Sequence, residues 1–286
     1  MQLAEDVWRE RMAAHEARVD ALVRPHLERR RAGRAHPVHD FLFTYYSFKP
    51  AQLRRWHPGA GVVLAGSPPH ASWSGYEAGP DGVAVGAAVA RKRAATVEWV
   101  RALLTATASR PAHTGCFGLH EWAMVYRTVP GDVRHEAYPL RLGHDGTDAV
   151  VEAHQIRCSH FDAFRFFTDA ARPLNALTPS RELQPSLEQP GCLHAGMDLY
   201  KWAYKLTPLV PSELVADAFE LAAQIRELDM RASPYDLSGL GYEPVRIETT
   251  EGKRRYVEQQ RAFAARGAVL RERLLAATGG LADVAA

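Results

Sequence analysis

Each of the three cysteines falls within four positions of a histidine: Cys116 with His120, Cys158 with His160, and Cys192 with His194. Carboxylates extend each pair, because Glu121 follows His120, Asp162 follows His160 by two, and Asp198 follows His194 by four. On a helix the last spacing puts His194 and Asp198 on one face, where both could meet one ion or one substrate group. Thiolate, imidazole and carboxylate are the groups that zinc or iron uses when positions are left open for water or substrate. His120, His160 and His194 are therefore candidate metal ligands, and Asp162, Asp198 and Glu121 candidate catalytic carboxylates. None of the pairs has CxxC, HExxH or HxH spacing, and cysteine is also among the residues most often packed in a core. An odd number of cysteines cannot pair completely within the chain, so their uses are packing, metal binding or nucleophilic chemistry.

A second constellation is aromatic, running from Phe41 to Trp56, from Trp122 to Phe167, and through Tyr200, Trp202 and Tyr204. Most of these rings belong to a core, because they contribute large buried areas. Tyr45, Tyr46, Trp122 and Trp202 are candidate stacking surfaces for a flat ligand. Basic residues interleave with the rings, and Arg54, Arg55, Lys201 and Lys205 are candidate phosphate contacts; the alternative is surface charge beside core aromatics. Asp40 reads as a helix cap. DMRASPYDL, at 229 to 237, places Asp229, Arg231, Tyr235 and Asp236 around a helix end and turn, and an internal Asp-to-Arg pair is the plain explanation.

The elements that must position these groups are mostly helices. Trp8, Met12, His15, Val19 and Leu22 recur at helical steps within 4 to 31, with Pro25 as a bend or break. Prolines 37, 50 and 58 joint an aromatic stretch with room for two short helices. Residues 61 to 86 read as a long glycine-rich loop with room for a short strand at Val62 to Leu64. A helix covers about 87 to 108, and GCFGLHEWAMVYR a short buried one. LRL at 140 to 142, followed by glycines, predicts a strand and turn, and AVVEAHQIRC fits strand or helix, which puts a small β element near 138 to 157. Helices follow at about 194 to 206, after Pro211 through Leu214, Ala218, Leu221, Ile225 and Leu228, and at about 252 to 276. The expected fold is mainly α, a single globular helical domain over 1 to 286 with a small β element.

The 286 residues, 47% of them hydrophobic, suffice for a sizeable core. A formal charge of +2 excludes the dominant positive field of a general nucleic-acid binder, so a DNA contact would need a local patch. No apolar run is long enough for a membrane span, and the polar opening is unlike a secretory leader, which makes the cytoplasm the expected location and a membrane an unexpected partner.

Read together, HPVHDFLFTYYSFKPAQLRRWHPG, CFGLHEWAMVYR, IRCSHFDAFRFF, EQPGCLHAGMDLYKWAYKL and DMRASPYDL resemble an actinobacterial family that carries the name 3-methyladenine DNA glycosylase, over most of the chain from Trp8 to Leu275. The resemblance implies hydrolysis of the N-glycosidic bond of alkylated purines in DNA, without a cofactor, using an aromatic base pocket and a carboxylate, Asp162 or Asp198 with Glu121 in reserve. LSGLGYEP at 237 to 244 echoes the hairpin of helix-hairpin-helix glycosylases, but no aspartate follows Gly241 before Asp283, so that family's catalytic position has no counterpart here. The rival reading, from the residues themselves, is a zinc- or iron-dependent enzyme acting on a small molecule or nucleotide through His120, Glu121, His160, His194 and Asp198. A non-catalytic DNA-binding or scaffold module is the third.

Overall fold

A computed structural model describes residues 1–129, 131, 137–279 and 281. The chain is 57% helical, with eleven α-helices and one four-stranded sheet among the described residues. No helix among them is long and apolar enough to cross a membrane. Backbone contacts divide the chain into two compact units: Met1–Thr105, Leu199–Glu220 and Val269–Ala286 form the first, Ala106–Asp198 and Leu221–Ala268 the second.

The first unit opens with β1 (Gln2–Leu3) and α1 (Glu5–Arg31), which continues through Pro25 without a break. Acidic Glu5 and Asp6 start α1 and Arg29, Arg30 and Arg31 end it, each charge opposing the partial charge of its terminus. Two short helices follow, α2 (Phe41–Thr44) and α3 (Pro50–Arg54). Asp40 does not cap α2. Its carboxylate instead accepts from His26, Arg29 and the His36 amide, because a guanidinium, an imidazole and an amide together compete for it more strongly than one helix-end donor.

Residues 61 to 86 depart furthest from expectation. Beyond β2 (Val63–Leu64) they form a hairpin, β3 (Tyr76–Gly79) and β4 (Gly82–Val85), in a sheet ordered β1-β2-β4-β3. β1 runs parallel to β2, and the other pairs are antiparallel. Gly79 faces Gly82 across a two-residue Pro80-Asp81 turn. A Cβ on Gly82 would lie 2.2 Å from the Leu64 carbonyl oxygen, so only glycine lets β4 start against β2. The sheet is anchored by Trp8, Trp56, Val62 and Leu64, and the Trp8 indole donates to the Ala65 carbonyl at 2.9 Å. The unit also holds residues 87–105 of α4 (Ala87–Ala108) and the later residues of α9 (Leu193–Lys205). Here Tyr46, Tyr200 and Phe219 pack edge to face, and Trp202 lies against Trp99.

The second unit carries α5 (Leu119–Ala123), α6 (Gly143–Glu152), α7 (Phe161–Phe164), α8 (Gln184–Leu187), the start of α9, and the unit's shares of α10 (Ser212–Ala232) and α11 (Thr250–Gly279). The β element expected near 138 to 157 is a helix instead, α6, flanked only by isolated bridges at Leu140 and Ile156; residues 132 to 136, just before it, lie outside the described residues. Thr147, Val150 and Val151 bury one face at helical spacing, Asp145 sits in the first turn, and the Thr147 hydroxyl donates to the Gly143 carbonyl. These local preferences outweigh the strand-like run of β-branched residues.

Candidate metal centre

The second unit draws the three Cys/His segments together. Cys116, Cys158 and Cys192 border one cavity of about 230 Å³, together with His120 and His194. Each segment is fixed by specific backbone bonds. Phe117 and Gly118 both take left-handed conformations, uncommon for phenylalanine, and this turn leaves the Cys116 sulfur 3.6 Å from His120 Nδ1. The strand-like residues before His160 are clamped by Asn175, which accepts from the Cys158 amide and donates to the Cys158 carbonyl. Gln189 accepts from the His113 and Gly191 amides and donates to the His113 carbonyl. A side chain at Gly191 would strike that carbonyl at 2.6 Å, so glycine is required where the two segments meet.

Within this frame His120, on α5, reaches α10: its Nε2 lies 2.8 Å from Asp229 Oδ1. The other Asp229 oxygen lies 3.3 Å from Arg226, whose Nη1 also donates to Glu121 at 2.8 Å. Arg226, Glu121, Asp229 and His120 are all buried. His194, on α9, turns its ring edge to face onto His120 with centroids 4.4 Å apart, and stacks on His160 at 5.3 Å. The donor atoms of His120, His194 and Asp229 lie within 4.8 Å of one another, a spacing able to hold a metal ion. His160 Nε2 in turn lies 3.3 Å from Asp198 and 3.9 Å from Glu188.

The electrostatics follow from this packing. Burial opposes a charge on His120, but Asp229, by proximity and hydrogen bond, more than offsets it and raises the pKa well above the ordinary imidazole value, with help from Cys116. Burial likewise works against Asp229, and His120, His194 and Arg226 hold its carboxyl below the usual carboxylate range. Burial pushes Glu121 up even though Arg226 pulls it down. An ion held by His120 would displace the proton that Asp229 favours there. Burial, then the charge of His120, pushes His194 well below the usual imidazole value. Its ring is therefore neutral, which is the form that binds metals. Burial raises the Cys158 and Cys192 thiols, so both remain protonated.

Several residues expected at the site lie elsewhere. Tyr45, Tyr46, Trp202, Arg54, Arg55, Lys201 and Lys205 belong to the first unit. Arg54 pairs there with Glu16 and Asp20, and Lys201 lies over the Trp202 ring. Trp122 is fully buried in the second unit, its indole donating to the Ala232 carbonyl. Asp162 occupies the first turn of α7 and pairs with Arg165, outside the cavity lining. Asp198 and Glu121 are buried as described.

Asp229 and Glu188 were not among the candidates. Asp229 does not pair with Arg231, which bonds Glu227 instead. The signal for Asp229 was present, because Ala218, Ala222, Ile225 and Asp229 fall at successive helical steps on the buried side of α10. A carboxylate at a position where the pattern demands an apolar residue marks either a paired core charge or a site. Glu188 ends the short α8 in a proline-punctuated stretch with no period to flag it. Compared with protein-family models, curated proteins and solved structures, the chain matches none.

Proposed function

We propose that the second unit is a metal-dependent enzyme, iron or zinc, whose ion is held by His120, His194 and Asp229 and whose substrate is a small anionic molecule in the adjoining cavity. The observation that carries the reading is the convergence of two imidazoles and one carboxylate within 4.8 Å, beside a cavity of about 230 Å³. Two histidines and one carboxylate leave coordination positions open, the arrangement of non-haem iron(II) oxygenases and of hydrolytic zinc sites. When bound, the ion would supply Lewis-acid or oxygen-activating chemistry.

The chain's own residues do the rest. Arg226, braced by Glu121, orients Asp229 and holds it ionised. Arg110 and Arg157 line the same cavity. The Arg110 guanidinium is held by the Glu188 and Pro185 carbonyls, and no carboxylate neutralises either arginine among the described residues. They suit the carboxylate or phosphate of a substrate.

Reconstitution of the full-length protein with iron(II) or zinc(II), followed by elemental analysis, tests this reading. At least one tightly held equivalent is expected, reduced in both His194→Ala and Asp229→Asn. A protein that retains none, or variants that retain as much as the parent, would overturn it.

The glycosylase reading implied by the family resemblance has one favourable observation of its own. In the first unit Arg55, Arg93 and Lys205 flank a cleft of about 430 Å³, and none of the three has a carboxylate partner among the described residues. Such a cleft suits a nucleic-acid backbone. Release of alkylated base from methylated duplex DNA by metal-free protein, abolished in Asp198→Asn, would establish that reading in place of the metal enzyme.

A further inference from the structure

We infer that the centre is dinuclear, with a second divalent metal held by His160, Asp198 and Glu188 beside the first. The inference rests on the reading of His120, His194 and Asp229 as a metal site, and is carried by a different set of residues.

The first observation is His160 itself. Its side chain is 1% exposed, and neither Nδ1 nor Nε2 makes a hydrogen bond. A neutral imidazole has one donor and one acceptor nitrogen, and burying both without partners forfeits the hydration of each. Other buried histidines avoid this: His15 and His70 each bond a backbone carbonyl through Nε2 and leave only Nδ1 bare. A ring with both nitrogens bare, facing carboxylates, calls for a ligand.

The spacing is the second. His160 Nε2 lies 3.3 Å from Asp198 Oδ2 and 3.9 Å from Glu188 Oε2. Ligands around one ion at bonds of about 2.1 Å stand ~3 to 4 Å apart, the separation that His160 keeps from each carboxylate, and a rotation that draws the two carboxylates together would complete the site. The third observation is the outer support. Gln184 donates to Glu188 Oε2 at 2.9 Å and Thr107 to Oε1 at 3.3 Å, and Asn175 fixes the backbone two residues before His160. Hydrogen bonds of this kind orient metal-binding carboxylates.

The two positions are neighbours because α9 serves both. His194 and Asp198, one turn apart on its buried face, point one ligand to each, and the His194 ring stacks on His160 at 5.3 Å. Two adjacent divalent ions can bind both the attacking and the leaving oxygen of a hydrolysed or transferred group. The anionic group assigned to the substrate is of the kind that such a pair engages.

Zinc(II) titrated into the metal-free full chain, read by calorimetry and by elemental analysis after desalting, tests the second position. The parent should bind two equivalents, and His160→Ala and the near-isosteric Asp198→Asn should each bind one. Circular dichroism melts identify any variant that fails to fold, and Asp198→Asn then decides. A parent that binds one equivalent, lost in Asp229→Asn and kept in both His160→Ala and Asp198→Asn, would overturn the second position while leaving the first intact. One equivalent lost in Asp198→Asn but kept in Asp229→Asn would instead overturn the first position and with it the dinuclear centre. A buried water on His160 in place of a metal predicts the former result.

Discussion

Each unit packs a pair of neighbouring histidines, His57 with His70 in the first and His120 with His194 in the second, and among the described residues only the second pair is joined by a carboxylate, Asp229. In the first unit His57 and His70 sit among Trp56, Trp73 and Tyr76. Their polar partners are neutral: His57 Nδ1 meets the Tyr76 hydroxyl at 2.8 Å, and His70 Nε2 the Trp56 carbonyl at 2.9 Å. Burial, aided by His70 and Arg55, lowers the His57 pKa to about 3. In the second unit His120 and His160 face Asp229, Asp198 and Glu188. A buried imidazole beside a hydroxyl or carbonyl completes a hydrogen-bonded core, whereas one beside a buried carboxylate holds or exchanges charge. The difference teaches that burial of a histidine does not by itself mark a site, and that the charge of the groups it meets must be read with it.

The sharpest way to break this contrast is to remove one member of the charged cluster. Glu121→Ala strips Arg226 of an acidic partner, and because Arg226 is buried the loss should cost about 3–5 kcal/mol in urea unfolding. A loss below about 1 kcal/mol would show that the cluster behaves as an exposed one and would end the comparison.

A smaller effect comes from the neutral cluster, through pH. Because the folded pKa of His57 is about 3 and its ordinary value 6.5, the unfolded chain takes up a proton between these limits and the folded chain does not. Stability is thus fully present above pH 6.5 and declines as pH falls toward 3, by up to about 1.4 kcal/mol per pH unit. His57→Gln should flatten the slope between pH 6 and 4 by close to one proton, measured by denaturation at each pH. An unchanged slope would mean that His57 is not held neutral by its surroundings.

The least change is expected where charge is exposed. Arg54 pairs with Glu16 and Asp20 at the surface of the first unit, and Arg54→Ala should alter stability by about 0–1 kcal/mol. A loss as large as that of Glu121→Ala would show that exposure is not what separates the two kinds of ion pair.

Much of the architecture was legible in the residue pattern. The helices α1, α4, α9, α10 and α11 begin and end within a few residues of the expected positions, because long amphipathic periods, Pro211 before α10 and the charged ends of α1 act locally. The hairpin β3–β4 was not legible. Its strands are four residues each and glycine-bounded, so they carry no alternation to read, and β4 lies against β2, which is more than ten residues away in the chain. For the converse reason the sequence left AVVEAHQIRC open between strand and helix, since β-branched residues weigh toward sheet until Thr147, Val150 and Val151 are seen to share a buried face.

The candidate site divides in the same way. Residue type and spacing alone determined that three Cys/His pairs offered ligand-type side chains, and that His194 and Asp198 would share a helix face, because a helical turn is a local property. Only the tertiary structure decided that His120 answers to Asp229, more than a hundred residues later, that Arg226 rather than Arg231 braces that carboxylate, and that Glu188 approaches His160. Such pairings are chosen by which side chains meet when separate helices pack and water is excluded, and no local preference in the chain encodes that choice.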